Sequence, residues 1–405
     1  MKKQVALLAA IAANLILGTA VVSAGEVTWW TPNFNEARAR ELVKSFESEH
    51  ADIKVKLEIT TADGLAQRIL TTMQSGAAPD LIDVQHGWVN GYARNALVTK
   101  LDDVIQDRED YVPGALAYGM FDNALWAIPY RIESHAVIYN KDHFREAGLD
   151  PDKPIDTWAE LATAAKALTK EGRSGFAITG GGEVGNTIFR SLPFIWMNGG
   201  SIISDDQTKA TVNEPKAVEA IKFYTDMYTD LKVSPASTLE NDGTANRRLF
   251  IAGTVSMYQS GQFDVVAIRK ENPKIDVGVM PIPHPEGAET ASILGGWSLV
   301  VPAQARNPDE GKVLLQFLAR AENQAILTDT FPARTSGMTA ERFKNPDLDA
   351  FKAMLPHGRA LPANKNWVQI TQAYFDGIQR ILLGDEDVQT SMDYAAEDIQ
   401  ALLDQ

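Results

Sequence analysis

From Gly25 onward, short apolar stretches alternate with longer segments whose apolar residues recur every three or four positions, the pattern of strands alternating with helices in parallel α/β layers. Residues 27–30 predict a first strand. Residues 36–50 carry Ala39, Leu42, Val43 and Phe46 on one face, which predicts a helix. Ile53, Val55, Leu57 and Ile59 alternate with charged or polar residues, as in a strand near a sheet edge, and residues 80–84 predict a third strand.

Further along, Thr157 and Glu160 have the spacing of a capping box, ahead of a helical face made by Trp158, Leu161, Ala162, Ala165 and Leu168. Residues 176–179 and 254–258 predict strands, and residues 216–230 a helix. Asn307-Pro308-Asp309-Glu310 predicts a helix start: a cap residue, a proline where no N–H is needed, then carboxylates at the positive end of the dipole. Passages rich in proline and glycine at 281–287 and 331–337, with Ile128-Pro129-Tyr130, are either surface loops or crossings between two lobes.

A chain of 405 residues, 45% hydrophobic and 22% charged, has room for two or more domains with substantial cores. At its start, Lys2 and Lys3 precede an apolar run from Val5 to Leu17, and Val22-Ser23-Ala24 places small residues at a cleavable junction. This predicts a signal peptide cut after Ala24; the run, interrupted by Asn14, falls short of the roughly 20 apolar residues of a membrane span. Removing the two lysines takes the formal charge from −15 to −17, a balance that repels nucleic acid and anionic lipid. There is no cysteine, hence no disulfide, no thiolate nucleophile and no residue to carry a lipid anchor after the cleavage point. The chain is expected in the periplasm, freely diffusing and monomeric.

Catalytic and cofactor patterns are sparse. Gly180, Gly182 and Gly185 match GxGxxG after a predicted strand, and Asp205 stands near the distance of a ribose-binding acid, but no clear second strand precedes it. The loop is read instead as bare backbone that lets a ligand come close, with a simple glycine turn as the alternative. HExxH, GxSxG and a phosphate loop are absent, and the six histidines show no paired ligand spacing. Neither an enzyme, a metal nor a cofactor is expected, although a facing pair of carboxylates, as in a glycosidase, cannot be read or dismissed from a sequence.

Trp30, Trp88, Trp297 and Trp367 fall at predicted element ends, where ligands of α/β sheets bind. Taken singly, each is more readily read as a core residue. Together they suit a sugar, whose C–H face stacks on an indole while Asn, Glu and Arg hold its hydroxyls. Arg131, Glu133 and His135 alternate, so in an extended strand they share one face, as a binding row or as a surface ion pair. Trp297 is read as a stacking residue whose loss would weaken binding with little effect on melting.

These residues sit among segments similar to the family 1 extracellular solute-binding proteins of ABC importers, the group of maltose- and glycerol-3-phosphate-binding proteins. The matching segments are Gly76-Ala77-Ala78-Pro79-Asp80, Ile138-Tyr139-Asn140-Lys141-Asp142 with Phe144 and Gly148, residues 154–161 around Thr157-Trp158, residues 250–257, residues 280–283, Gly295-Gly296, and Phe331-Pro332-Ala333-Arg334. The resemblance covers essentially the whole chain. It implies an α/β fold of the two-lobed, type II periplasmic binding protein kind, with three inter-lobe crossings and a ligand cleft between the lobes. The first lobe would take residues 26–130 and 284–331, the second 131–283 and 332–405. By loop position it implies ligand contacts at Trp30, Asn33, His86, Arg131, Glu133, Gly182, Gln259, Gly296, Trp297 and Arg334. It also implies the partners: a small carbohydrate solute, mono- or oligosaccharide or polyol, and the membrane permease subunits of an ABC importer. Arg131, Arg334 and Arg359 leave open a glycerol-phosphate-like, acidic or sulfonated sugar. A secreted sugar-active enzyme is the rival from another class.

Overall fold

The computed structural model describes residues 25–61 and 65–405, so the expected signal peptide at 1–24 lies outside the described residues. Ten strands build two sheets. In chain order they are β1 (Gly25–Pro32), β2 (Ile53–Thr60), β3 (Leu81–Gln85), β4 (Ile128–Glu133), β5 (His135–Asn140), β6 (Ser174–Ala177), β7 (Val255–Gly261), β8 (Val277–Met280), β9 (Gly295–Val300) and β10 (Phe331–Pro332). The first sheet runs β10-β4-β9-β3-β1-β2 and the second β8-β5-β7-β6. The alternating strand β2 is indeed at an edge.

Neither sheet is all parallel, contrary to the layers expected from the alternation of strands and helices. β1 pairs in parallel with β2 and β3, but β9 is antiparallel to both β3 and β4, and β10 to β4. The reason is the path of the chain. β4 leaves the first sheet through the end nearest the second, so β9, returning from there, enters that same end and runs the opposite way; β10 follows helices of the first lobe and pairs with β4 from its other side.

The crossings also differ from the expected boundaries. Arg131, Ile132 and Glu133 stay in the first sheet, paired with β9 and β10, and the chain passes over at Ser134. His284 still belongs to the second lobe, its carbonyl accepting from the Trp158 amide at 2.9 Å. After β10 the chain remains with the first lobe at least to Ser336, which bonds to Asp110. It reaches the second lobe where Asp347 pairs with Arg269 at 2.7 Å.

Local chemistry explains the helices. In α1 (Glu36–Glu49) the residues 39, 42 and 46 are buried, with Phe46 edge-on to Phe317 of a later helix at 5.4 Å; burying a phenylalanine contributes about 1.5–3 kcal/mol. Helix α2 (Trp158–Leu168) starts on the expected capping box, Thr157 Oγ1 accepting from the Glu160 amide and Glu160 from the Thr157 amide. Helix α3 (Val184–Met197) follows the glycine loop. Helix α4 (Pro308–Leu318) has the expected proline and acids in its first turn, but the Asn307 side chain does not cap it. It donates instead to the Glu26 carbonyl at 2.7 Å and ties the helix to β1. Helices α5 (Trp367–Leu383) and α6 (Val388–Leu403) pack on each other, α5 also on α3 and α6 on the helix Pro215–Asp226.

Candidate functional site

At Ser134 the first crossing is hydrogen-bonded to the other inter-lobe segments. The serine hydroxyl donates to the Phe351 carbonyl at 2.7 Å, and the next amide, His135, donates to Ser292 Oγ at 2.9 Å. Residue 292 lies on the second connection and residue 351 just past the third, so segments of all three meet at one point. Glu133 lies on one side of this hinge and His135 on the other.

On the first-lobe side, β4 projects Arg131 and Glu133 to one face, as their alternation predicts. Arg131 Nη1 donates to Glu133 at 2.7 Å and Nε to Asp329 at 2.6 Å. Burial opposes the guanidinium charge, but the two carboxylates outweigh it and raise the Arg131 pKa. Its guanidinium sits 5.2 Å from the Phe34 ring centre; Phe34 meets Trp297 at 5.3 Å, and Trp297 meets Trp88 at 5.9 Å, both edge to face. Trp297 is only 5% exposed, a wedge between two rings and not an open stacking platform.

Gly296 has a structural duty. Its φ is +149°, and a Cβ there would lie 2.0 Å from the Arg131 carbonyl oxygen and 2.6 Å from His86 Cε1. Only glycine lets β9 approach β4 so closely. His86 is buried against Tyr118, and burial lowers its pKa to about 3, with the Trp297 backbone pulling the other way. Trp30 is also buried, covered by the Arg68 guanidinium at 4.1 Å. Asn33 is exposed at the start of a short turn.

Behind this wall lies a network that no sequence motif announces. Asp83 accepts from Thr31 Oγ1 at 2.6 Å, Trp29 Nε1 at 2.7 Å, Tyr130 OH at 2.9 Å and Asn35 Nδ2 at 3.3 Å. Burial pushes its carboxyl up to about 6 despite these four donors. The network fixes β1, β3 and β4 against one another. One asparagine of the pair in Asn33-Phe34-Asn35 is thus a core residue, and nothing in the sequence distinguishes them.

The second-lobe wall is built differently. Gln259 on β7 donates to the Phe189 carbonyl at 3.4 Å, while its Oε1 is buried with no partner. His135 Nδ1, Ser260 Oγ and both amide atoms of Gln262 share that condition. Burial, with Arg190 nearby, holds the His135 pKa well below its usual value, so the ring is neutral. Its neighbours are Phe189 at 5.8 Å and Phe263 at 6.4 Å, two aromatics that the tryptophan pattern does not include. The walls meet at Gly295: a Cβ there would lie 2.9 Å from the Glu133 side chain and 3.2 Å from Phe189.

Two expected contacts are displaced. Gly182 does have φ +75°, but Asp242 Cβ stands 2.6 Å from where its Cβ would be, and Leu382, Leu239 and Glu240 crowd Gly180 and Gly181. The glycine loop is closed by protein, leaving no room for a ligand to approach its backbone. Arg334 is held by Asp107 and Asp110 and lies over the Tyr111 ring at 4.7 Å. It clamps the outer part of the first lobe, so its donors are spent there. The structure therefore gathers Arg131, Glu133, His86, Gly296 and Trp297 on one wall and Gln259 on the other, and leaves Gly182 and Arg334 elsewhere.

Between the lobes, next to Trp88, opens a cavity of ≈ 410 Å³ lined on one side by residues 87–95 and Tyr118 and on the other by residues 361–365 with Trp367. Among the described residues, no group of three or more His, Asp or Glu is placed to hold a metal ion, and no helix is long and apolar enough to cross a membrane.

Comparison with known proteins agrees with this architecture. The family described as bacterial extracellular solute-binding protein matches residues 29–325. The sn-glycerol-3-phosphate-binding periplasmic protein UgpB of Pectobacterium atrosepticum is 26% identical over 98% of this chain and 95% of its own. An ABC transporter solute-binding protein of Thermotoga lettingae, solved with alpha-D-tagatose, superimposes with a TM-score of 0.80 at 25% identity over 94% of this chain and 100% of that one. UgpB of Mycobacterium tuberculosis, solved with glycerophosphocholine, has the same fold, with a TM-score of 0.80 at 22% identity over 94% of this chain and 98% of that one.

Proposed function

The chain belongs to the bacterial extracellular solute-binding proteins, and we propose that it captures a carbohydrate in the periplasm, as a monomer without catalysis, and presents it to the membrane subunits of an ABC importer. One observation carries this reading: two separately folded sheets are hinged at Ser134, and polar and aromatic side chains from both converge beside it. Such an arrangement encloses a small molecule. A family member expected to leave the cytoplasm also agrees with the leader-like residues 1–24.

In this account the solute first meets the first-lobe wall, where Glu133 accepts its hydroxyls while Arg131 holds the carboxylate in place. Closure then brings Gln259 and His135 onto it. A ligand drives closure only through its greater affinity for the closed form, about 5.5 kcal/mol for a swing from 1:99 to 99:1. A few hydrogen bonds to charged groups, at about 1.5–3 kcal/mol each, supply that. The unpartnered atoms of the second wall favour the same outcome, since a hydroxylated guest relieves them.

A second reading, a solute resembling glycerol phosphate, is favoured by the Pectobacterium relative. The test for both is a melting-temperature screen of sugars, polyols and their phosphates on the mature chain, followed by calorimetry. A ligand at 100 times its dissociation constant adds about 2.7 kcal/mol of stability. A saccharide or polyol that binds and is recovered intact supports capture; one that is cleaved supports the enzyme reading; no binding by any of them rejects both solute classes.

A further inference from the structure

We propose that the cavity between residues 87–95 and the 361–368 arm receives an anionic group, so that the solute is an acidic saccharide or polyol, hydroxylated toward Glu133 and negatively charged at its other end. The inference rests on the capture reading above and narrows it.

The two walls belong to different lobes. The first carries Trp88, Asn90 and Arg94. The second is the arm leading into α5, fastened to the second lobe by Asn364 Nδ2 donating to Gln207 Oε1 at 3.1 Å and Asn366 Nδ2 to the Leu402 carbonyl at 2.6 Å. A single hydrogen bond, from the Leu361 amide to Tyr118 OH at 2.9 Å, spans them. The cavity adjoins the candidate site, since two residues that line it touch that wall: Trp88 meets Trp297 and Tyr118 stacks on His86.

Its charges are one-sided. Arg94 and Lys365, on opposite walls, are the charged residues of the lining, and no carboxylate lines it. Neither forms an ion pair with a carboxylate among the described residues; Arg94 instead lies over the Phe121 ring at 5.0 Å. In a chain of net charge −15, two exposed cations on opposite walls of one gap, with no acid in its lining, make a local positive patch. Their repulsion opposes closure, and an anion between them removes it. Asn90 Oδ1, buried and without a partner, needs a donor, which a hydroxyl beside the anion provides.

The cations that the sequence suggested for this purpose are already engaged or lie elsewhere. Arg131 is bound by Glu133 and Asp329, and Arg334 by Asp107 and Asp110; Arg359, over the Trp196 ring at 5.6 Å, is outside the cavity lining. The anion site is therefore displaced from the hinge to this cavity.

The test compares matched pairs by calorimetry on the mature chain: D-glucose with D-glucuronate, D-galactose with D-galacturonate, maltose with maltobionate, and glycerol with glycerol 3-phosphate. In the best-binding pair the acidic member should bind roughly tenfold or more tighter, the size of one charge-assisted hydrogen bond. Arg94→Gln and Lys365→Gln should each shrink that ratio, Arg94→Lys should retain it, and Lys100→Gln, which removes an exposed cation outside the cavity, should leave it unchanged. If the neutral member binds as tightly or tighter, or if neither glutamine variant alters the ratio, the anion site is wrong while carbohydrate capture stands. If no probe of either kind binds, the capture reading fails and takes this inference with it.

Discussion

The two walls of the cleft are finished to different degrees. On the first lobe, Asp83 collects four donors and Arg131 is gripped by two carboxylates, and the unpartnered buried atoms, those of His86, Asn90 Oδ1 and Ser298 Oγ, lie outside these two networks. On the second lobe, Gln259 Oε1, Ser260 Oγ, His135 Nδ1 and the Gln262 amide are buried without partners. Unpartnered buried polar atoms cost free energy, of order 1–3 kcal/mol each. The contrast fits a division of labour: a rigid wall that selects the solute, and a wall left incomplete until a solute or ordered water completes it.

The largest effect should come from the rigid wall. Trp297, wedged between Phe34 and Trp88, belongs to the core, so Trp297→Ala should cost about 3–5 kcal/mol in denaturant unfolding. That reverses the expectation, drawn from its place after two glycines, that only binding would suffer. Next, Asp83→Ala strands several buried donors and should lower stability by at least about 3 kcal/mol, measured the same way. A loss below about 1 kcal/mol at both positions would erase the distinction between the walls.

The hinge region can be probed with pH. His86, with a folded pKa of about 3 against the ordinary histidine value of 6.5, stays neutral in the fold while the unfolded chain takes up a proton. Its stabilising contribution is therefore complete above pH 6.5 and is lost as the pH falls from there toward 3. The slope is about 1.4 kcal/mol per pH unit for one proton. His135, depressed in the same direction, adds to it. His86→Gln should flatten the dependence by one proton's worth between about pH 6.5 and 4.5; an unchanged slope would show that the ring is protonated in the fold.

How much of this was legible beforehand follows from which signals are local. The capping box at Thr157 and Glu160 and the alternation of β2 depend on near neighbours in sequence, and both formed as read. The direction of β9 depends on where the chain returns from the other lobe, which no local pattern encodes. The clamp on Arg334 needs Asp107 and Asp110, more than 220 positions away, and the Asp83 network joins residues from four elements. Phe189 and Phe263 carry no motif, and only their place after the glycine loop and after the buried strand β7 could have raised them. Gly296 was marked correctly as special, but for strand packing.

The smallest effect on stability should come from the unfinished wall. Gln259→Leu removes an unpartnered acceptor, so the ligand-free protein should unfold within about 1 kcal/mol of the parent, or be more stable, while saccharide binding weakens roughly tenfold. A large loss of stability with intact binding would place Gln259 among the structural residues and leave the second wall without a role.

The central claim is that a hinged pair of lobes shuts on its solute. Small-angle X-ray scattering of the mature chain, alone and saturated with whichever saccharide or polyol raises its melting temperature most, tests this directly. The account predicts a smaller radius of gyration with the solute bound; an identical radius at saturation would contradict it.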